Sequence, residues 1–232
     1  MTEKYNASNV SLEQILSYIK SGEIAIPEIQ RPFVWKPRQV RDLIDSLYMG
    51  YPTGYLIISQ SPDMRLKDGS MSIGKKIMID GQQRVTALMT SIVGLEVLGS
   101  DFKKRRIKIA FNPQASVENE EEVFKVQDNA VLKDKKWISD IAELFKPDFD
   151  QWEFVNEYCQ QNPDVNGSQM NKILMRLLDI KNRQIGVITL DKDLNIDEVT
   201  EIFIRINSQG AKLNQADFAM SKIAANTEYG GN

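Results

Sequence analysis

A strand-like run, KIMID at 76–80, is followed at once by Gly81, two glutamines and Arg84, and a helical pattern begins there. A helix N-terminus presents unpaired backbone N–H groups and a partial positive charge, which together suit an anion. Gly81 allows the backbone to approach a ligand closely, and an arginine in the first turn can reach back to the same end. Asp80 would either cap the helix or bind a metal ion that accompanies a nucleotide. Residues 80–84, DGQQR, are called the junction motif below.

A second interpretation of the junction motif needs no ligand. Asp80 at the N-cap and Gln83 at the third helical position would form a capping box, with the glutamines exposed to solvent. Capping and anion binding use the same geometry, so spacing alone leaves the two interpretations equal.

A second candidate segment, IPEIQRPFVW at 26–35, places an amide and a guanidinium on extended backbone stiffened by two prolines. Gln30 and Arg31 could address a base or a phosphate there. For Phe33 and Trp35 we favour burial in the core over stacking on a ligand, because large aromatic side chains usually serve burial. The role of Arg31 is left open.

The third candidate, FIRINSQG at 203–210, lies at the end of a helical pattern. Its period turns Phe203 and Ile206 toward the core and leaves Arg205 and Asn207 at the helix end. These two polar residues either complement the helix C-terminus or form one wall of a ligand pocket.

Composition limits the chemistry that this sequence can perform. The chain has 232 residues, a formal net charge of −3, one cysteine and no histidine. Ser-His-Asp catalysis, histidine-ligated zinc and an internal disulfide are therefore excluded from this chain. Any catalysis would use carboxylates, cations, amides and a hard metal ion such as Mg²⁺. The absence of a signal-peptide pattern and of long apolar runs predicts a cytoplasmic protein.

Strands and helices alternate up to about residue 130, and helices dominate afterwards. This order predicts an α/β (α+β) protein with a core in 1–130, followed by a mainly helical addition in 131–232 that returns one strand and the third motif to the core. Helices are predicted at 11–22, 37–50, 85–94, 138–145, 150–161, 168–183, 197–210 and 214–226, and strands at 55–60, 76–80, 105–112, 121–127 and 184–190. The sequence is expected to be an N-terminal fragment of a longer protein.

Four segments, taken in order and spacing, resemble the ParB/sulfiredoxin-like N-terminal domain of GmrSD-type modification-dependent restriction enzymes, which also occurs in related phage-defence proteins. They are IPEIQRPFVW (26–35), YPTGYLII (51–58), IDGQQRVTAL (79–88) and FIRINSQGAKLNQADF (203–218). The segments run from near the start almost to the end of the chain. DGQQR followed at a distance by F-x-R-I-N-x-x-G is a fairly specific combination.

The resemblance implies a ParB/sulfiredoxin-like mixed-sheet core that binds a nucleoside triphosphate and hydrolyses it with Mg²⁺. Hydrolysis would be linked to recognition or cleavage of modified foreign DNA, as in type IV-like restriction. Carried over residue by residue, it implies a catalytic group of Asp80, Gln83 and Arg84, a metal contact at Asp80, and a nucleotide-binding group of Gln30, Arg31, Gly81, Gln82, Arg205 and Asn207.

One departure from the family pattern concerns DNA cleavage. Full-length relatives commonly carry a C-terminal HNH-type nuclease domain whose metal site needs histidines, and this sequence has none. Cleavage is therefore expected from a nuclease domain that lies further along the natural chain or on a partner chain. Modified DNA is expected to be bound by the full-length protein or a partner, a homodimer is left open, and no membrane is expected.

Two other functions remain as alternatives. The domain could be a non-catalytic module that binds nucleotide, DNA or a partner chain as a switch, since a fold does not fix a function. It could also be a nuclease that uses carboxylates and Mg²⁺. The acidic net charge and the lack of a clustered carboxylate motif make the nuclease the weakest of the three.

Overall fold

The computed structural model describes residues 4–26, 32–60, 76–99, 101–115, 121–194 and 196–207. These residues divide between two compact units, each assembled from separate segments of the chain. The sheet unit draws on Met1–Arg31, Gly54–Gln82 and Gln184–Asn232, and the helical unit draws on Pro32–Thr53 and Gln83–Arg183. The chain passes from the first unit to the second inside the junction motif.

A five-stranded mixed sheet organises the sheet unit. Its strands are β1 (Tyr5–Ser11), β2 (Ile24–Ala25), β3 (Tyr55–Ser59), β4 (Lys76–Asp80) and β9 (Gln184–Leu190). They lie in the order β1-β9-β3-β4-β2, with β1–β9 and β3–β4 antiparallel and β9–β3 and β4–β2 parallel. The expected α+β class with a mixed sheet is confirmed, whereas the ParB/sulfiredoxin likeness of the core stays a prediction.

Two helices complete the described part of the sheet unit: α1 (Leu12–Lys20) and α6 (Ile196–Asn207). The hydroxyl of Ser11 accepts a hydrogen bond of 3.3 Å from the backbone N–H of Gln14, which caps α1 as its sequence predicts. A buried cluster joins β3, β9 and α6, and its members are Ile57, Leu190, Leu194, Val199 and Phe203. The strand that returns late in the chain is thus part of the same core as β3.

The helical unit contains four helices, four short strands and three 3-10 helices within its described residues. The α-helices are α2 (Pro37–Met49), α3 (Gln82–Ser91), α4 (Gln151–Gln161) and α5 (Gly167–Leu178), and the first residue of α3 still belongs to the sheet unit. The strands are β5 (Val97–Leu98), β6 (Lys104–Arg105), β7 (Ile109–Phe111) and β8 (Phe124–Val126). The 3-10 helices are Val131–Lys133, Ile141–Phe145 and Asp179–Asn182. Tyr48, Phe111 and Phe124 pack together with ring centroids 5.2 to 5.7 Å apart. This aromatic trio ties α2 to the β7–β8 hairpin.

Several predicted elements differ from the structure. The α-helix expected at 138–145 is a 3-10 helix at Ile141–Phe145, because Asp140 caps it in an extended conformation and Lys146 is already extended. Helix α6 begins at Ile196, so Asp197 lies inside its first turn and does not cap it. Strand β1 has no counterpart among the predicted strands. The helix predicted at 214–226 lies outside the described residues.

Strand β4 contains a β-bulge just before its last residue. Ile57 of β3 pairs with Asp80, whereas the next residue, Ile58, pairs with Met78. Ile79 is therefore the extra residue on β4. A bulge bends the strand and changes the direction in which the neighbouring side chains point.

The turn from β4 into α3 is made by Gly81 alone. Its φ is +96°, a conformation that side-chain-bearing residues rarely adopt, and a Cβ built on it would lie 2.2 Å from Cδ2 of Leu56. Leu56 is itself buried in the sheet. Both the backbone conformation and the packing therefore require glycine at this position.

A buried ion pair lies in the helical unit. Asp140 is 5% exposed, and its carboxylate meets the guanidinium of Arg106 at 2.8 Å and the Lys108 ammonium at 4.0 Å. The same carboxylate accepts a hydrogen bond of 3.2 Å from the N–H of Ala142. Burial raises the pKa of Asp140 above its ordinary value, and the Arg106 charge opposes that rise.

We expect Gly81→Ala to lower the free energy of unfolding by about 1–3 kcal/mol, because the new methyl group is strained at positive φ and meets Leu56. Gly167→Ala is the matched control, since its Cβ would lie 3.8 Å from its nearest neighbours at the first position of α5. That control should change stability by at most about 1 kcal/mol. Urea titrations followed by circular dichroism measure both, and equal effects would contradict the packing argument.

We expect Asp140→Ala to destabilise the protein by about 3 kcal/mol, because Arg106 loses its buried partner and keeps only the exposed Glu143, at 3.8 Å. Asp101→Ala removes the carboxylate of an exposed ion pair with Arg105 and should cost much less. Since the folded pKa of Asp140 lies above the unfolded one, wild-type stability falls as the pH rises through that interval, and the variant should lack this fall. Chemical unfolding at several pH values measures both effects, and similar losses in the two variants would show that the pair is not effectively buried.

Candidate functional site

Asp80 ends strand β4 and is half-buried. The bulge at Ile79 immediately precedes it, and bulges are over-represented beside active sites, where they redirect a side chain. One residue separates this carboxylate from the first residue of α3. A carboxylate and a helix N-terminus are therefore neighbours through the covalent chain itself.

The N-terminus of α3 has glycine at its cap position. Because the helix begins at Gln82, the cap falls on Gly81, which has no side chain, and Gln83 takes the second helical position. The capping box of Asp80 with Gln83, our ligand-free interpretation, is therefore not the observed geometry. Its physical reason is the positive φ of Gly81, which makes the turn one residue later than the sequence pattern suggested. The first backbone N–H groups of a helix have no partner within the helix.

Gln82 ties the helix start back to the strand. Its side-chain amide donates a hydrogen bond of 3.2 Å to the backbone carbonyl of Met78, two residues before the end of β4. The contact crosses the bulge, so it links the residue before Ile79 to the first residue of α3. This amide fixes the local turn.

Gln83 contacts the part of the second sequence motif that follows Gln30 and Arg31. Its Oε1 accepts a hydrogen bond of 2.9 Å from the N–H of Val34, and its Nε2 donates one of 3.3 Å to the carbonyl of Pro32. Both polar atoms of the amide are thus engaged with backbone.

Arg84 lies half-buried in the first turn of α3, and it already interacts with another group of the protein. Side chains on a helix lean toward its N-terminus, so the guanidinium is carried on the turn where the unpaired N–H groups lie. Among the residues of the junction motif, Asp80 and Arg84 are the two that carry charge.

The second sequence motif is described only in part. Gln30 and Arg31 lie outside the described residues. Phe33 is buried, and its N–H donates a hydrogen bond of 3.0 Å to the carbonyl of Leu98, so the preference for burial is confirmed at this aromatic. Trp35 is half-buried.

The third motif ends helix α6 in the sheet unit. Arg205 has a side chain that is 77% exposed, and it meets the carboxylate of Glu201 at 2.6 Å. Asn207 is the last residue of the helix. Phe203 is buried as expected, but Ile206 is 37% exposed, so its expected place in the core is wrong. The buried cluster of α6 ends at Phe203, almost one turn earlier.

Metal binding at this site would depend on few protein ligands. Within the described ranges, no three acidic or cysteine side chains come together as a metal site. Mg²⁺ is usually bound through one or two carboxylates, with waters and substrate phosphates as its other ligands. A single carboxylate at Asp80, beside a helix N-terminus, has the donor chemistry for a Mg²⁺ ion that arrives with a nucleotide.

Five basic residues lie at 103–108, and the two arginines among them pair with carboxylates. Arg105 of β6 forms an ion pair with Asp101, and Arg106 forms the buried pair with Asp140. Their charges are therefore offset locally. This favours the interpretation of the cluster as a solvated strand edge over a nucleic-acid contact.

Sequence reasoning missed two features of this site. The alternation in KIMID is that of an ordinary strand, so nothing in it marks the bulge at Ile79. The Gln83 contacts join residues 49 and 51 positions apart, which spacing along the chain cannot reveal. Both features depend on tertiary structure.

No helix in the described part of the chain is long and apolar enough to cross a membrane. The sequence is similar to that of Uncharacterized protein MJ0686 from Methanocaldococcus jannaschii, at 22% identity over 229 residues. The similarity covers 87% of this chain and 39% of the relative, so the chain spans about two fifths of the relative's length.

The three sequence motifs all lie within the part of the chain that matches a known protein family. The model of the GmrSD restriction endonuclease N-terminal domain matches residues 12–224, which is nearly the whole chain. This chain therefore belongs to the family of GmrSD restriction endonuclease N-terminal domains.

Proposed function

We propose that this domain binds a nucleoside triphosphate at the junction motif and hydrolyses it, as a regulatory step in DNA-modification-dependent restriction or phage defence. The observation that carries the proposal is the turn at Gly81, which sets the Asp80 carboxylate directly before a helix N-terminus whose cap residue is a glycine. The family supports the biological context, because it is one of restriction-system proteins.

The phosphates would bind at the start of α3. Backbone N–H groups of Gly81, Gln82 and Gln83 have no partners within the helix, and the helix dipole adds a partial positive charge. The guanidinium of Arg84 would form charge-assisted hydrogen bonds with phosphate oxygens. The glycine also lets the backbone come close to the ligand, since no Cβ projects from it.

Asp80 would have a catalytic role at the reacting phosphate. Its carboxylate, directed by the bulge, is suited to hold either a Mg²⁺ ion or the attacking water. When bound, Mg²⁺ would neutralise charge on the phosphates. Cytoplasmic localisation remains part of the proposal, because nucleoside triphosphates and Mg²⁺ are available there.

Two further arginines are proposed to offset the charge that develops in phosphoryl transfer. Arg31 and Arg205 are assigned this role from their motifs, together with nucleotide contacts from Gln30 and Asn207. One existing partner of Arg205 is the exposed Glu201, and exposed ion pairs contribute little to stability. If Arg205 exchanged Glu201 for a phosphate, the loss of the ion pair would therefore cost little free energy.

We assign DNA cleavage and the binding of modified DNA to a further domain or to a partner chain. The chain has no histidine, so a histidine-metal nuclease centre would be supplied by a further domain or a partner chain. Modified DNA would be bound by that larger assembly, and homodimerisation is compatible with the same scheme. The paired basic residues at 103–108 favour a DNA contact elsewhere.

A non-catalytic nucleotide switch is the second candidate. It is favoured by the fact that Asp80 is the one carboxylate of the junction motif and that both glutamines bind backbone. These backbone contacts fix the planes of the two amides, which limits the directions in which either could hold an attacking water. Binding without turnover would identify the switch.

The test is release of phosphate from each of the four ribonucleoside triphosphates with Mg²⁺, compared among wild type, Asp80→Asn and Arg84→Ala. We expect Asp80→Asn to lower kcat by about a hundredfold or more, because a charged group at the reacting phosphate is lost. Arg84→Ala should weaken nucleotide binding by about tenfold to a hundredfold, because charge-assisted hydrogen bonds are lost. Asp101→Asn and Arg105→Ala, which change an exposed ion pair of the same chemistry, should leave turnover unchanged.

Three outcomes would count against this proposal. Unchanged turnover in both junction variants would remove the site assignment. Saturable nucleotide binding without phosphate release would favour the switch. Metal-dependent nicking of plasmid DNA by this chain alone would instead support the nuclease interpretation.

A further inference from the structure

The segment Pro32–Val34 is held along both of its edges within the helical unit. On one edge, the N–H of Phe33 donates to the carbonyl of Leu98, and Phe33 forms a parallel bridge with Gly99. On the other edge, the carbonyl of Pro32 and the N–H of Val34 point toward Gln83. This alternation is that of a β-strand with a neighbour on each side.

The second neighbour is a side chain. A carboxamide carries one acceptor and one N–H donor side in the same plane, as a peptide unit does. Gln83 uses both, at 2.9 Å to Val34 and 3.3 Å to Pro32. Its amide therefore replaces a short piece of strand.

Glutamine is the residue type that satisfies this geometry. A glutamate of the same length could accept from Val34, but its second oxygen would face the Pro32 carbonyl, and two acceptors repel. A leucine of similar volume would make neither hydrogen bond. An asparagine would be one methylene too short to reach from the same backbone position.

We propose that Gln83 is a positioning residue, whose amide locks the segment after Gln30–Arg31 onto the first turn of α3. The inference rests on the proposed nucleotide function and replaces the catalytic role first expected for Gln83. Pro32 directly follows the Gln30–Arg31 pair in the chain, and Arg84 directly follows Gln83. One amide thus connects backbone adjacent to two of the nucleotide-binding motifs.

A rigid connection of this kind affects nucleotide affinity more than the rate of the chemical step. Nucleotide affinity falls when the binding segments must be ordered by the ligand, because part of the binding energy is then spent on ordering. The chemical step is affected less, since the complex once formed has the same reacting groups. Loss of the Gln83 contacts should therefore raise KM with little change in kcat.

The experiment combines amide hydrogen exchange with nucleotide kinetics in wild type, Gln83→Leu and Gln83→Glu. In Gln83→Leu, exchange of the Val34 N–H should become about five- to tenfold faster, as expected for loss of one hydrogen bond. Exchange of the Phe33 N–H, which is bonded to Leu98, should change less. KM should rise about tenfold with kcat within about twofold of wild type.

Gln83→Glu separates the two contacts. It keeps an acceptor for Val34, so protection of that N–H should stay near wild type, whereas KM should still rise because the Pro32 contact is replaced by repulsion. Gln39→Leu is the matched control, because Gln39 also stands in the first turn of a helix and accepts from a backbone N–H at 2.9 Å. It should change neither Val34 exchange nor KM.

The inference is overturned by unchanged Val34 exchange in Gln83→Leu, or by faster exchange with wild-type KM. A hundredfold fall in kcat at constant KM would also overturn it and make Gln83 a catalytic residue. If wild type neither binds nor hydrolyses any nucleotide, the proposed function and the positioning role fail together. Failure of the proposed function is seen in the wild-type protein itself. Failure of the positioning role alone is seen only in the Gln83 variants, while the wild-type protein still hydrolyses nucleotide.

Discussion

Gly81 sets the geometry on which the junction depends. A φ of +96° turns the chain from β4 directly into α3, so that the strand and the helix share a turn of one residue. Two constraints disfavour any other residue at this position. The backbone conformation is one that residues with a side chain rarely adopt, and the Leu56 side chain occupies the space of a Cβ. Asp80 and the N-terminus of α3 are therefore adjacent because of covalent geometry. A longer loop would separate the carboxylate from the helix N-terminus, whose dipole field falls off within a turn.

The four polar side chains of the junction motif divide into two that bind backbone and two that carry charge. Gln82 binds the carbonyl of Met78, and Gln83 binds both edges of a peptide segment, so neither amide depends on a ligand for its hydrogen bonds. Polar side chains engaged in this way lose rotamer freedom when the protein folds and not when the ligand binds. The charged members, Asp80 and Arg84, then stand on backbone that is already ordered. Preorganised charges of this kind need little rearrangement during a reaction.

The sequence predicted the features that residues close together in the chain determine, and it missed those that depend on tertiary contacts. Helical periodicity located α1, α2, α4 and α5, because residues within one or two turns determine it. Helix α5 nevertheless ends at Leu178, before the predicted end at residue 183, and a 3-10 helix follows it. Strand β1, YNASNVS, was missed because it is an exposed edge strand without an apolar alternation. The capping box at Asp80 and the core position of Ile206 failed for a related reason, since each depends on where a turn or a core ends in three dimensions. The candidate residues could be named from spacing, but the bulge and the Gln83 contacts could not.

The charge distribution explains why such local order matters for an anionic ligand. The chain carries a net charge of −3, so its overall field does not attract a polyphosphate. Two of its clustered arginines are already matched by Asp101 and Asp140. Phosphate affinity would therefore come from short-range donors, namely helix N–H groups and individual guanidinium groups, whose strength depends on placement. Under the proposed function, a small displacement of these donors would not be compensated by long-range attraction. The backbone contacts of Gln82 and Gln83 would then serve nucleotide binding as well as the fold.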